Sequence, residues 1–215
     1  MVKTREYSRV DRFFGAIDKA IKVLSVQSRA ARPIPISLTS PPQSLDESAR
    51  LTSSRFLRVN HAGEVAAQAL YQGQALTARS PAVAAALHKS ANEEVDHLAW
   101  CEQRIRELKG RTSLLNPLWY ASSFALGALA GAFGDQLSLG FVAETENQVE
   151  AHLIRHLKAL PAEDRASRVI LEQMTQDEIQ HGSIATALGG KPLPELLRRG
   201  MRLASKVMTK TSYWL

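Results

Sequence analysis

A single cysteine, Cys101, stands in 215 residues. No intrachain disulfide can form, which favours a reducing compartment, and a lone thiol of this kind is read as a small packed residue rather than a nucleophile. Long apolar runs are scarce as well. The least polar stretch, Ala121 to Gly134, carries no charge but stops at Asp135, short of the roughly 20 residues a spanning helix needs. Near the start of the chain Asp18, Lys19 and Lys22 interrupt the apolar pattern, so no secretory signal is expected. There is no Gly-x-Gly-x-x-Gly, and hence no Rossmann-type phosphate turn. Helix-turn-helix, zinc-finger and aromatic RNA-binding signatures are missing too, so nucleic acid is not an expected partner. Acidic residues are outnumbered: 27 Lys and Arg against 21 Asp and Glu give a net charge of +6. That balance suits an anionic partner, and the negative face of a membrane qualifies.

What the chain does have is a repeated pair of metal-ligand type. In Asn92-Glu93-Glu94-Val95-Asp96-His97, a helix would project Glu94 and His97 from one face, one turn apart. One such pair on an amphipathic helix is ordinarily surface. Here Gln176-Asp177-Glu178-Ile179-Gln180-His181 repeats it, again with an acid before the Glu, and both Glu and His are offset by 84 residues. Two Glu-x-x-His helices, joined by two helices that each give a single Glu, are the ligand plan of the four-helix carboxylate bundles.

Spacing narrows the search for the single carboxylates. Glu64 lies 30 residues before Glu94, whereas Glu144, Glu146 and Glu150 precede Glu178 by 34, 32 and 28. By distance Glu146 and Glu150 are equally good and Glu144 is worse. Four carboxylates and two imidazoles facing inward demand cations, because buried charges must be paired or bind metal. Ligation rich in oxygen with only two histidines suits iron or manganese better than zinc or copper. Two ferrous ions could supply electrons to O2, which zinc could not.

The remaining chain reads as helices and punctuation. Phe13, Ile17, Ile21 and Leu24 with Arg12, Lys19 and Lys22 describe a basic amphipathic helix, either membrane-facing or packed on the bundle. Four of nine prolines fall between Pro33 and Pro42, which predicts a linker. Residues 1–45 are thus expected to be an N-terminal basic segment with that linker, and 46–215 the helical bundle. A helix is predicted from Asp46 to Arg79, with Leu51, Phe56, Val59, Ala66, Ala69, Leu70 and Leu76 inward. Ser80-Pro81 caps and opens a second helix that Gly110 ends. Asn116 to Gly134 is expected to be a buried or bilayer-dipping helix, with Trp119 and Tyr120 at the headgroup boundary and Phe124 and Leu126 in the apolar surface. Further helices are predicted from Asp135 to Leu160 and from Pro161 to Leu188. The basic apolar tail, Pro194 to Leu215, repeats the amphipathic theme. Among other titratable groups, His152 and Tyr71 are candidate catalytic residues. His61 lies close to Glu64 in sequence, Asp96 and Asp177 are candidates to orient the ligating histidines, and His88 and His156 read as surface groups.

Asn60-His61-Ala62-Gly63-Glu64, Glu94-Val95-Asp96-His97, Pro117-Leu118-Trp119 with Phe124-Ala125-Leu126-Gly127, Glu146 with His152 six residues on, and Glu178-Ile179-Gln180-His181 together resemble the demethoxyubiquinone hydroxylase family. The family's Glu-to-His spacing of six selects Glu146 over Glu150. The resemblance implies an all-α, ferritin-like four-helix bundle with additional amphipathic helices at the membrane interface. It implies two iron ions on Glu64, Glu94, His97, Glu146, Glu178 and His181, with O2 as co-substrate and NADH as electron donor. It further implies a monooxygenase that hydroxylates the ring of a 2-polyprenyl-3-methyl-6-methoxy-1,4-benzoquinol. Such an enzyme sits peripherally on the cytoplasmic side of the inner membrane, with other ubiquinone-biosynthesis proteins as partners. On the ligand constellation alone an iron-storage or peroxide-reducing protein, or a tRNA hydroxylase, would share this plan.

Overall fold

The computed structural model describes residues 9–25, 28–35 and 45–215, with only the backbone for 9–13 and 16. The side chains of Arg12 and Phe13, and the proline pair Pro41-Pro42, therefore lie outside the described residues. Within these bounds there are seven helices and no strand. They are α1 (Arg9–Ser25), α2 (Glu47–Thr77), α3 (Pro81–Glu107), α4 (Asn116–Ala132), α5 (Asp135–Ala159), α6 (Arg165–Ala187) and α7 (Glu195–Trp214).

Each of α2, α3, α5 and α6 carries apolar residues at both ends and polar ones in the middle of its buried stripe, and this pattern sets the topology. Leu57, Trp100, Ile105, Leu153, Ile170 and Met174 fill one end of the bundle. Tyr71, Val83, Leu87, Leu139, Val142 and Ala185 fill the other. Following the numbers, α2 and α6 run from the first end to the second, and α3 and α5 run back. Two consecutive bundle helices thus point the same way, so the chain must return between them, and α4 is that return. It runs alongside α2 on a seam of small residues. A Cβ on Gly127 would collide with the Leu70 carbonyl, one on Gly73 with that of Phe124, and one on Gly131 with Thr77. One long crossover between two helix hairpins is the ferritin-like arrangement.

Local signals explain most boundaries, with some corrections. Asp46 caps α2, its carboxylate accepting from Ala49 N at 2.7 Å. Ser80 makes no side-chain cap. Instead the Asp135 carboxylate accepts from the backbone N–H of Arg79 and Ser80 at 3.0 and 2.8 Å, which fastens the α2–α3 turn to the start of α5. α6 begins not at Pro161 but at Arg165, because Asp164 accepts from Ser167 N and is held by Arg104 at 2.8 Å. Lys109, not Gly110, takes the left-handed conformation after α3, at φ 53°. Leu51 and Leu76, predicted inward, are exposed.

α1 lays Ala20, Val23 and Leu24 against Val65, Ala69, Leu98 and Tyr120. α7 meets α4 where the Trp119 indole donates to Ser212 Oγ at 3.1 Å. α4 is therefore flanked by both basic helices. Its outward face exposes Leu118, Leu126, Leu129 and Phe133, and α7 exposes Leu196, Leu203, Val207 and Trp214. Tyr120 departs from its expected place at a headgroup boundary: it is buried and donates to Gln72 Oε1 at 2.6 Å. Phe124 is half-buried against the core. Among the described residues no helix is long and apolar enough to cross a membrane.

Candidate metal centre

Midway along the four bundle helices, between the two apolar ends, six polar side chains converge. Glu64, Glu94, Glu146, Glu178, His97 and His181 are each at most 3% exposed. Ligand atoms of Glu64, Glu94, His97 and Glu178 lie within 4.8 Å of one another, as do those of Glu146, Glu178 and His181. Glu150 stays outside, half-buried in a groove between α5 and α6. Of the two carboxylates that spacing left open, Glu146 joins the cluster and Glu150 does not, although the two are one turn apart on α5.

Two ligand-sized positions follow from the distances. His97 Nδ1 is 2.9 Å from Glu94 Oε2 and 3.3 Å from Glu178 Oε1. His181 Nδ1 is 3.1 Å from Glu94 Oε1 and 3.4 Å from Glu178 Oε2. Glu94 and Glu178 each point one oxygen toward each imidazole, so each could serve an ion beside either ring. Glu64 completes the His97 side, 3.7 Å from its Nδ1, and Glu146 completes the His181 side.

The donor set fits two hard-to-borderline cations. Glu94 Oε1, Glu178 Oε1 and His181 Nδ1 are buried without a hydrogen-bond partner and face the cluster centre. An unpaired buried acceptor of this kind is costly unless a cation takes it. With protons as the only cations, burial and the charge on Glu94 hold Glu64 well above the usual carboxylate range, and burial beside Glu178 does the same to Glu146. Against the effect of burial, Glu178 and Glu94 raise His181 to about 12. The cluster thus holds positive charge in one form or another.

The outward nitrogen of each histidine is held by a carboxylate from the opposite helix. His97 Nε2 of α3 lies 2.8 Å from Asp177 Oδ2 of α6, and His181 Nε2 of α6 lies 2.8 Å from Glu93 Oε2 of α3. With each outward nitrogen donating to a carboxylate, Nδ1 of a neutral ring would be left to face an ion. Asp177 does what was expected of it, but Asp96 does not. Its carboxylate turns away to the segment before the bundle, accepting from Ala31 N at 2.6 Å and Arg32 Nε at 2.6 Å. Glu93 was missed, although the signal was present: an acid immediately precedes the Glu of both Glu-x-x-His pairs.

The two candidate catalytic residues flank the His181 and Glu64 sides. Tyr71 is buried and donates to Glu146 Oε1; burial and that carboxylate keep the phenol protonated. His152 leaves Nε2 without a partner. It lines both a cavity of about 600 Å³ between α5 and α7 and a much smaller one of about 30 Å³ beside Gly63 and Glu64. Burial lowers His152 to about 4, so the ring is neutral. His61 is not in the cluster; it sits at the α2–α4 seam, 3.4 Å from Asn116 Nδ2. His156 is not a surface group: α2 and α7 cover that side of α5, and His156 is buried 2.9 Å from Asn60 Oδ1. His88 is exposed, as expected.

Comparison with known proteins agrees with this plan. The model of the family described as ubiquinone biosynthesis protein COQ7 matches residues 52–212. A 3-demethoxyubiquinol 3-hydroxylase of Bordetella parapertussis is 53% identical over 98% of this chain and 95% of its own length. That of Azotobacter vinelandii is 53% identical over 99% of each chain, and that of Ralstonia pickettii 51% identical over 95% of this chain and 99% of its own. The match over residues 52–212 and this likeness over nearly the whole chain lead to one conclusion: the chain belongs to the ubiquinone biosynthesis protein COQ7 family.

Proposed function

We propose that this protein hydroxylates 3-demethoxyubiquinol, a polyprenyl benzoquinol, at a pair of iron ions held by Glu64, Glu94, His97, Glu146, Glu178 and His181. The observation that carries the reading is the buried cluster itself, four carboxylates and two imidazoles with their free atoms turned inward. Two ferrous ions held there would supply the reducing power to activate O2, with NADH as the source of electrons. The chain's own residues do the rest. Asp177 and Glu93 keep both imidazoles facing inward, and Tyr71 anchors Glu146. Neutral His152, beside Glu64 and open to the cavity, can accept a hydrogen bond from a quinol hydroxyl and so orient the ring. The apolar bundle ends on either side exclude bulk water from the cluster.

The substrate's tail determines where the protein works. Drawing a polyprenyl chain out of lipid costs about 0.8 kcal/mol per CH2 exposed to water, so the enzyme must approach the bilayer. The outward apolar residues of α4, flanked by basic α1 and α7, suit peripheral binding to the anionic cytoplasmic face of the inner membrane. α7, which flanks that face, also lines the α5–α7 cavity, so the quinol ring is expected to reach Glu64 through it. The test is direct. Full-length protein loaded with ferrous iron, given a reductant, a demethoxyubiquinol and isotope-labelled O2, should yield ring-hydroxylated product carrying the label. Label absent from the product, with two irons bound, would overturn the reading.

A further inference from the structure

Residues 28–35, between α1 and α2, do not hang free. Ser28 N–H donates to Glu102 at 3.3 Å, and Asp96 Oδ1 accepts from the backbone N–H of Ala31 and Arg32 at 2.6 and 3.4 Å. The Trp100 indole donates to the Arg32 carbonyl at 3.4 Å, and Ile34 packs on the core beside Leu57 and Trp100. At the centre of this strap the Arg32 guanidinium lies 4.9 Å over the Trp100 ring. Its Nε is 2.6 Å from Asp96 Oδ2, and a terminal nitrogen is 2.9 Å from Asp177 Oδ2. That last oxygen is the one that holds His97 Nε2 at 2.8 Å.

The other histidine has no such anchor. Glu93, which holds His181, is a third exposed, and among the described residues its other ion pair is with Lys89 of its own helix at 3.2 Å. An exposed i,i+4 pair of this kind fixes little; the Arg32 side chain is itself 39% exposed, but its planar guanidinium is held by two carboxylates and an indole at once. Removing the guanidinium would leave the Asp96 and Asp177 carboxylates that it joins with no cation between them.

We propose that Arg32 is a positioning residue of the metal centre. Acting through Asp177, it locks the His97 imidazole, so the His97-side position holds its ion more tightly and releases it more slowly than the His181 side. The proposal rests on the metal reading above and deepens it. Release of ferrous iron from the full-length protein to an excess of chelator would test both. Wild type should bind two ions and release them in two phases; a wild type that binds none overturns the metal reading, and this inference with it. With two ions bound, R32Q should speed the slow phase by about 10- to 100-fold, the usual effect of losing an outer partner of a metal ligand, and leave the fast phase alone. R32K, which keeps the charge without the fork, should fall between. I34A loosens the strap but leaves the guanidinium in place, and should release iron as wild type does. R32Q/D177N should release no faster than D177N. If R32Q keeps the wild-type phases, if I34A speeds release as much as R32Q does, or if the two changes in the double variant add, Arg32 does not act through Asp177 and the proposal fails. Helical content and melting of the metal-free variants separate local loss from unfolding.

Discussion

Glu178 shows how much depends on a single side chain. It sends one oxygen toward each imidazole, so E178A should remove a contact from both metal positions and cut turnover by more than the roughly 100-fold expected of an outer-shell change. E150A, outside the cluster, should leave iron content and turnover near wild type. Metal analysis alongside product formation checks both; two irons and full activity in E178A would remove Glu178 from the site. Gly63 offers a test of access. Nothing lies within 4 Å of where its Cβ would be, and glycine in a helix is about 1 kcal/mol worse than alanine. G63A should therefore raise the melting temperature by about 2–4 °C. G63L should fill the small cavity beside Glu64 and slow turnover with iron still bound; unimpaired quinol turnover in G63L would place the route elsewhere. At this scale the sequence disclosed what repeats. The two Glu-x-x-His pairs stood out because helical spacing and an 84-residue offset are visible in one dimension. Arg32 did not, because its partners Asp96 and Asp177 lie 64 and 145 residues away, and no periodicity links a loop arginine to two helices.

Among the elements, the hairpins were the most legible and α4 the least. Amphipathic period, an aspartate cap and terminal prolines locate α2, α3, α5 and α6 within a few residues. They do not say which face of a nearly uncharged helix turns inward. Tyr120 and Phe124 were expected outward for that reason, yet the glycine seam with α2 turns them in and leaves Leu118, Leu126, Leu129 and Phe133 outside. The membrane test should use the outward residues. A Leu126→Glu, Leu129→Glu, Phe133→Glu variant should lose flotation with liposomes containing anionic lipid, while wild type floats and is only partly released by salt. Equal flotation at unchanged iron content would mean that this face does not enter lipid.

For the whole molecule the charge balance at the centre predicts how metal and pH act together. Without metal, the folded bundle keeps protons on Glu64, Glu146, His97 and His181 that the unfolded chain would release. Above about pH 6.5 the folded state therefore binds more protons than the unfolded one, and metal-free stability should fall as pH rises. Metal displaces those protons, so the loaded protein should not show this decline. Below that pH, burial keeps His61 and His152 neutral down to about 4, and burial beside His152 keeps His156 neutral to about 2. There the unfolded state binds more protons, and the loaded protein should weaken in acid. Melting of both forms from pH 6.5 to 8.5 should show a gap that widens with pH; a constant or shrinking gap would contradict this account. The seam between α2 and α4 has a consequence of its own. Because glycine brings the two backbones into contact, the height of the outer helix above the metal ligands is set by main-chain geometry, with few side chains to compress or swap. On the proposed membrane face α4 would work as a fixed ruler: it would set how far the cluster stands from the lipid boundary, and so how far a quinol ring would have to rise, whatever the length of the tail left behind.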